Sequence, residues 1–314
     1  MKTFDKTVFK SVCHSGSYNE ISTYLQDVSD ADDIKKQYDD IFQKHQYVWQ
    51  HDDVEINTFL HSYETYLWHA FTHHESIEQR KAFLFDKLQS QFPNASSWEQ
   101  LEEQVVQFFK DRGYYALLGI TPPFPDLYAW KTQRQRTENV SLPYGNVEMQ
   151  VYEMDDILSH GWYHYLALKH GGTAGWVSDD GAYYFKDMYD IESEEFQVSL
   201  LKHEGQHYYD LQMYPDMKST DLEYRAKLVE LIYGTDETRL LTFVKQQSSD
   251  PNHPHGYANK VLIDALIDKF FAKGALIDET SWELIYDDIR YYARQLLDEH
   301  SNALVNHDLS TSLI

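Results

Sequence analysis

Apolar residues recur at helical spacing through the first third of the chain. Four groups have apolar side chains three or four positions apart: Ile21-Tyr24-Leu25, Ile34-Tyr38-Ile41-Phe42, Leu60-Tyr63-Tyr66-Leu67 and Phe83-Leu84-Leu88-Phe92. Side chains at this spacing share one face of an α-helix. The pattern changes at Gly113. We therefore predict an N-terminal helical region over residues 1–112.

The apolar period shortens to two in the middle of the chain. A short apolar run from Tyr114 to Ile120 and the alternating stretch from Asn146 to Glu153 are typical of strands. The stretch from Asp155 to Trp162 suits a short helix instead. Residues 113–192 are therefore predicted to form a small, mainly antiparallel sheet.

Helical spacing returns after residue 192. The apolar pattern and its breakers predict five helices, at residues 193–213, 219–233, 235–247, 257–273 and 280–305. They form a helical subdomain, residues 193–314. The fold class expected for the whole chain is α+β and mostly helical, with a small antiparallel sheet and an N-terminal helical region.

Composition narrows the classes of protein that fit. The chain has 314 residues, of which 42% are hydrophobic and 15% aromatic, which is typical of a folded protein with a large core. It carries 51 acidic and 27 basic residues, a formal net charge of −24, and no cluster of Lys and Arg. We therefore expect neither a nucleic-acid partner nor a membrane partner.

The single cysteine and the lack of long apolar runs bear on location. Cys13 is the only cysteine, which excludes a disulfide within the chain and a cysteine-based zinc site. The first ten residues lack the apolar run of a signal peptide, and no stretch of about 18 apolar residues occurs. We expect a cytoplasmic protein. The pattern does not indicate its oligomeric state.

The first helix after the predicted sheet carries the motif His-Glu-Gly-Gln-His. His203 and His207 are four residues apart, share one helical face and can present two imidazole nitrogens to one metal ion. Glu204, one residue along, can reach a water beside the metal rather than the metal itself. The motif indicates a zinc ion with two histidine ligands and a glutamate general base.

A catalytic zinc site usually has a third protein ligand. Glu223 is the leading candidate, because it lies near the start of the next helix and would meet His207 at similar height if the two helices pack antiparallel. The alternative is that Glu223 only caps its helix, in a capping box with Thr220. Asp210 shares the face of the histidines, but its short side chain is better suited to orienting a histidine than to binding the ion.

With Glu223 included, the sequence resembles the gluzincin branch of the zincin metallopeptidases, in which HExxH on one helix is followed by a Glu on the next. The resemblance covers roughly residues 171 to 260. It implies that three side chains are ligands of Zn²⁺, that Glu204 is the base that activates water, and that the substrate is a peptide or protein. The implied ligands are His203, His207 and Glu223.

Residues 113–314 would then form the catalytic unit. Two features of individual branches are missing. Lys227 stands where the thermolysin-like branch carries an Asp. The glycine-rich segment ahead of the motif, residues 171–175, differs from the Gly-x-Met-Glu-Asn segment of the aminopeptidase branch. The branch is therefore left unassigned.

Residues 171–185 predict a hairpin that turns at Asp180 and Gly181. Zincins resemble one another in having an antiparallel edge strand above the metal, which pairs with an extended substrate. One segment combines small residues, which permit close approach, with a flanking aromatic ring. It is our candidate for substrate binding and consists of Thr173, Ala174, Gly175 and Trp176. Tyr183–Phe185 is the other candidate edge, and a purely structural hairpin is the alternative.

The reaction also needs a donor for the oxyanion. The loop after the Glu223 helix offers His253, His255 and Tyr257, of which we favour His255 and then Tyr257. Ordinary surface positions are the alternative for the loop histidines. A di-iron bundle would need two Glu-x-x-His segments, and Glu204 to His207 is the only one. The other alternative is a non-catalytic helical zinc-binding or interaction protein with an inactive zincin-like site.

Overall fold

The computed structural model describes residues 2–178, 180–305 and 307–314. It is 54% helical and contains a five-stranded, mixed and curled sheet beside the N-terminal helices, which confirms the predicted α+β, mostly helical class. The chain folds into two compact units. The N-terminal unit is Met1–Arg134 with Met154–Ala174, and the C-terminal unit is Gln135–Glu153 with Gly175–Ile314.

The N-terminal unit is built mainly from helices, as the apolar spacing predicts. Its elements before the sheet are β1 (Lys2–Thr3), α1 (Lys6–Cys13), α2 (Tyr18–Asp27), β2 (Val28–Ser29), α3 (Asp32–Tyr38), a π-helical turn (Asp39–Gln43), α4 (Val54–Thr72), α5 (Ile77–Leu88) and α6 (Trp98–Lys110). Helix α4 supplies much of the core, because Phe59, Leu60, Tyr63 and Tyr66 are all fully buried.

The sheet is larger than its sequence pattern predicts. Its elements in chain order are β3 (Tyr115–Thr121), β4 (Phe124–Leu142), β5 (Gly145–His160), α7 (Gly161–Leu166), β6 (Gly175–Ser178) and β7 (Gly181–Phe185). The strand order is β3-β4-β5-β7-β6, so β3 and β6 are the edges. Strands β3 and β4 pair antiparallel, as do β6 and β7, which confirms the predicted hairpin.

The short helix expected from Asp155 to Trp162 is wrong, because β5 continues to His160 and α7 begins only at Gly161. Ser159 Oγ donates to the carbonyl of Leu127 on β4 at 2.7 Å, which holds the end of β5 in the sheet. Gly161 then turns the chain with φ +86°, and a Cβ there would lie 2.7 Å from Asp126 Oδ2. A non-local contact and a glycine turn therefore decide this boundary.

The C-terminal unit carries the remaining helices. They are a π-helical segment (Glu195–Lys202), α8 (His203–Met213), α9 (Ser219–Tyr233), α10 (Thr238–Lys245), α11 (Pro254–Phe270), α12 (Glu279–Glu283) and α13 (Tyr286–Leu304). The last predicted helix is thus two helices. Helix α9 is central, because it packs against α8, α11 and α13. No helix in the described residues is long and apolar enough to cross a membrane.

Strands β4 and β5 contribute residues to both units. The predicted division at residues 112 and 192, which groups the strands in a subdomain of their own, stays a prediction. Each unit has a separate hydrophobic core. In the C-terminal unit the core includes the end of β4 and the start of β5. It also includes residues of α9 and of the helices around it.

Glu64 on α4 holds the segment that leads into this helix. Its side chain is fully buried, and its Oε1 accepts the backbone N–H of Val48 at 2.8 Å, while the N–H of Trp49 lies 3.4 Å from both carboxylate oxygens. Burial raises the pKa of Glu64 to about 7, although hydrogen bonds from Val48, Tyr165 and Trp49 act in the opposite direction. The carboxyl group is therefore a weaker acid in the folded chain than in the unfolded one.

The stability of the chain should depend on the charge of Glu64. The pKa of Glu64 is about 7 in the folded chain, against an ordinary value of 4.5. The folded state therefore binds more protons between these pH values, and the free energy of unfolding should fall as pH rises through them. A difference of this size corresponds to roughly 3 kcal/mol. Denaturant unfolding at pH 5 and pH 8 should show this component in the wild type and not in Glu64→Gln. The exposed-site control Glu78→Gln should keep it, and an equal pH dependence in Glu64→Gln and wild type would contradict the assignment.

Candidate metal centre

The helix that carries the motif changes its winding at the first histidine. Glu195–Lys202 is π-helical, and α8 begins at His203. Such wide turns are rare and are frequent at functional sites. Gly205, inside the motif, lets α8 lie close to the sheet, because a Cβ there would be only 3.0 Å from Val140 Cγ1 and 3.5 Å from Val147 Cγ2. The glycine therefore sets how closely the motif approaches β4 and β5.

His203, His207 and Glu223 meet between α8 and α9. The Nε2 atoms of the two histidines are 3.0 Å apart, and the Glu223 carboxylate lies 3.6 Å from that of His203 and 3.4 Å from that of His207. His203 and Glu223 are buried, at 6% and 8% exposure. Glu204 offers a carboxylate oxygen within 4.8 Å of both histidines. The chain thus contains a buried His/Glu group that could hold a metal ion.

The spacing of the donor atoms fits a small cation. Two nitrogen or oxygen ligands about 2.0–2.1 Å from a tetrahedral zinc ion lie about 3.3 Å apart. The three separations in the group, 3.0, 3.4 and 3.6 Å, bracket that value. Two imidazoles and one carboxylate also form one of the ligand sets that catalytic zinc sites use. The residues present therefore fit such an ion in both chemistry and spacing.

Glu230 supports the group from behind His203. Its Oε1 lies 2.7 Å from His203 Nδ1, and its Oε2 lies 3.3 Å from Arg239 Nε. A carboxylate on the far nitrogen of a metal-binding histidine fixes the ring and leaves the other nitrogen free for the metal. The sequence reasoning missed Glu230. Its spacing of seven residues from Glu223, two turns along one face of α9, is the signal that could have found it.

The carboxylates and histidines of the group stabilise one another's charged forms. Burial lowers the pKa of His207, but the adjacent Glu223 carboxylate, with Glu204 and Asp210, outweighs burial and raises it above its usual value. Burial likewise opposes ionisation of Glu223, yet the histidines around it hold its pKa well below the usual range. The pKa of Glu230 is lowered in the same way, by His203, Lys227 and Arg239. Both carboxylates therefore stay ionised in the interior.

Asp210 has a different main partner from the one expected. Its Oδ2 accepts from Arg225 Nε at 2.8 Å, and the side chain is fully buried. Asp210 Oδ1 and His207 Nδ1 are both buried, and neither has a hydrogen-bond partner among the described residues. The orienting role of Asp210 toward a histidine stays a prediction. The observed contact is an ion pair between α8 and α9.

His255 contacts the group through Glu223, and Tyr257 makes no such contact in the described part of the chain. His255 Nδ1 lies 2.6 Å from Glu223 Oε2, and its ring stacks on that of His203 at 6.3 Å between centroids. Its side chain is 73% exposed. Tyr257 lies two residues further along α11 and makes no hydrogen bond to the group in the described part of the chain. The roles expected for both residues stay predictions.

Two other expectations concern Glu223 and the hairpin. The capping-box alternative for Glu223 is wrong, because α9 begins at Ser219 with Lys218 at its N-cap and has no side-chain cap.

In the hairpin, Gly175 and Trp176 begin β6, at an edge of the sheet, and Thr173 and Ala174 precede it. An edge is the position that strand addition needs. Substrate binding by these four residues stays a prediction.

Removing the charge of Glu230 should weaken metal binding. Glu230→Gln leaves His203 without its carboxylate partner and should lower the affinity for Zn²⁺ about 10- to 100-fold. Competition against a chromogenic chelator measures this affinity. The control is Glu279→Gln, at an exposed position on α12 that pairs with Lys245. Equal affinities in the two variants would show that Glu230 does not support the metal group.

Comparison of the chain with protein-family models, with curated proteins and with solved structures finds no match. The functional conclusion therefore depends on the residues of the site. What they establish is a buried group of two histidines and one glutamate, His203, His207 and Glu223, that could hold a metal ion.

Proposed function

We propose that the protein is a zinc-dependent metallopeptidase of the gluzincin type. The observation that carries this proposal is the group formed by His203, His207 and Glu223, with donor separations of 3.0–3.6 Å, and with Glu204 beside it. Two imidazoles, one carboxylate and an adjacent free carboxylate are the parts that metal-assisted hydrolysis of an amide requires. Glu230, behind His203, supplies the support that such ligands usually have.

Glu204 is the general base of the proposed reaction. A zinc ion bound by the three ligands would supply a Lewis acid that polarises the water and the scissile carbonyl. Glu204 takes a proton from the attacking water and delivers it to the leaving nitrogen. Because Glu204 follows His203 directly on the same helix, α8 fixes its backbone position relative to the two histidines. β6 is the proposed docking edge for an extended peptide.

His255 decides between this function and a second one. As a donor to the oxyanion it would leave three protein ligands and an open position, as catalytic zinc sites have. As a fourth ligand it would close the site, as structural zinc sites are closed, and the protein would bind zinc without catalysis. The second candidate is favoured by one observation, the 2.6 Å separation of His255 Nδ1 from Glu223 Oε2. We place His255 as the donor because its side chain is exposed.

Glu204→Gln should separate metal binding from catalysis. The amide cannot accept the water proton, so hydrolysis of a peptide library should be lost almost entirely, while zinc content after dialysis stays that of the wild type. Glu279→Gln serves as the exposed control and should retain both. Peptidase activity that survives Glu204→Gln would exclude this residue as the base. Wild-type protein that binds no zinc would exclude the whole assignment.

His255→Ala should distinguish the two candidate functions. If His255 stabilises the oxyanion, kcat should fall about 100- to 1,000-fold while zinc affinity stays unchanged. If it is a fourth ligand, zinc affinity falls and the wild type is inactive. The control is His253→Ala, at the N-cap of α11, where the exposed imidazole lies 3.7 Å from Asp250. Chelator competition and single-turnover assays on the same samples give both quantities.

A further inference from the structure

A pocket of about 280 Å³ opens beside the metal group in the C-terminal unit. His203 and Glu204 line one wall, and helices α9 and α10 line another with Lys227 and Arg239. Among the described residues that line the pocket, Lys227 and Arg239 are the lysine and arginine side chains. The pocket therefore joins the proposed reacting centre to two side-chain cations.

Lys227 is unusually placed for a lysine. The residue is 6% exposed, and its ammonium lies 3.9 Å from Glu223 Oε2 and 4.7 Å from the centroid of the Phe243 ring. Among the described residues it donates no hydrogen bond. A lysine ammonium has three donors, and burial without hydrogen bonds is unfavourable. Its donors are thus available to a ligand in the pocket.

The balance of charge also favours an anionic ligand. The pocket and the metal group hold three buried or half-buried carboxylates, those of Glu204, Glu223 and Glu230, and two side-chain cations. A divalent ion leaves this set with one net positive charge. Glu195 also lines the pocket, but it is exposed to solvent at the rim. One carboxylate from a substrate would neutralise the interior.

We infer that the pocket binds a carboxylate of the substrate, with Lys227 as the anchor and Arg239 beside it. This inference rests on the proposed function and names its substrate class: peptides with a negatively charged group close to the scissile bond. The carboxylate can be the free C-terminus or an acidic side chain. Lys227 is a binding residue in this assignment and takes no part in the proton transfers.

Binding to a protein that cannot cleave tests the inference directly. The host is zinc-loaded Glu204→Gln, and the probes are two matched pairs of peptides. Acetyl-Ala-Ala-Ala with a free carboxylate is compared with its C-terminal amide, and acetyl-Ala-Glu-Ala-amide with acetyl-Ala-Gln-Ala-amide. Calorimetric titration should show that one charged member binds about tenfold or more tightly than its neutral partner, as one charge-assisted hydrogen bond predicts. The pair that discriminates identifies the source of the carboxylate.

Lys227→Met in the same host should abolish that preference, and Lys227→Arg should retain part of it. The matched control is Lys245→Met, an exposed lysine on α10, which should leave it unchanged. A preference that survives Lys227→Met would mean that the carboxylate binds elsewhere, including on the zinc ion. If the Glu204→Gln host that retains Lys227 binds the charged and neutral members of both pairs equally, the inference is overturned. This outcome does not depend on whether the Lys227 variants fold.

The same samples keep this inference apart from the proposed function. Cleavage of peptides by the wild type without any carboxylate preference overturns only the inference. A Lys227-dependent preference in a protein that cleaves no peptide overturns the peptidase and supports the pocket as a carboxylate site.

Discussion

Five charged side chains on α9 are buried, and the C-terminal unit is organised to pair them. They are Asp221, Glu223, Arg225, Lys227 and Glu230. Burying an unpaired charge costs several kcal/mol, so a helix enclosed by α8, α11 and α13 can carry these residues only if its neighbours supply opposite charges. The pairing therefore constrains which side chains the surrounding helices present to α9.

The buried charges of α9 have partners of two kinds, the C-terminal tail with α13 and the histidines of α8. At its start, Asp221 accepts from Ser312 Oγ and the backbone N–H of Leu313, which ties the C-terminal tail to the helix, and it lies 3.0 Å from His300 Nε2. Two residues further on, Glu223 faces the histidines of α8. The metal group is thus an extension of a network that the fold needs in any case. A bound divalent ion would offset the negative charge of Glu223 and Glu204, which couples metal binding to folding.

The parts of the site that follow from local geometry could be predicted from sequence. The i, i+4 spacing places His203 and His207 on one face, and antiparallel packing brings Glu223 to them. Glu230 shares a helical face with Glu223, but a glutamate inside a helical pattern ordinarily lies in solvent, so its role became clear only from the burial of α9. The long strand β4 was missed because residues 131–138 are polar without alternation, so it depends on pairing with neighbouring strands. The end of β5 was missed because the contact of Ser159 with Leu127 and the turn at Gly161 decide it.

Charge alternates along the face of α9 that meets the motif. Glu223, Lys227 and Glu230 are four and three residues apart, so each carboxylate has the ammonium as its neighbour, and Lys227 contributes to the lowered pKa of Glu230. Glu230 supplies the carboxylate at His203 Nδ1. Lys227, between the two acids on this face, is therefore not needed to orient the histidine. Loss of Lys227 would leave two acids on one buried face and should not weaken the attraction for zinc. A fall in carboxylate binding without a fall in zinc affinity would therefore assign Lys227 to the substrate rather than to the metal.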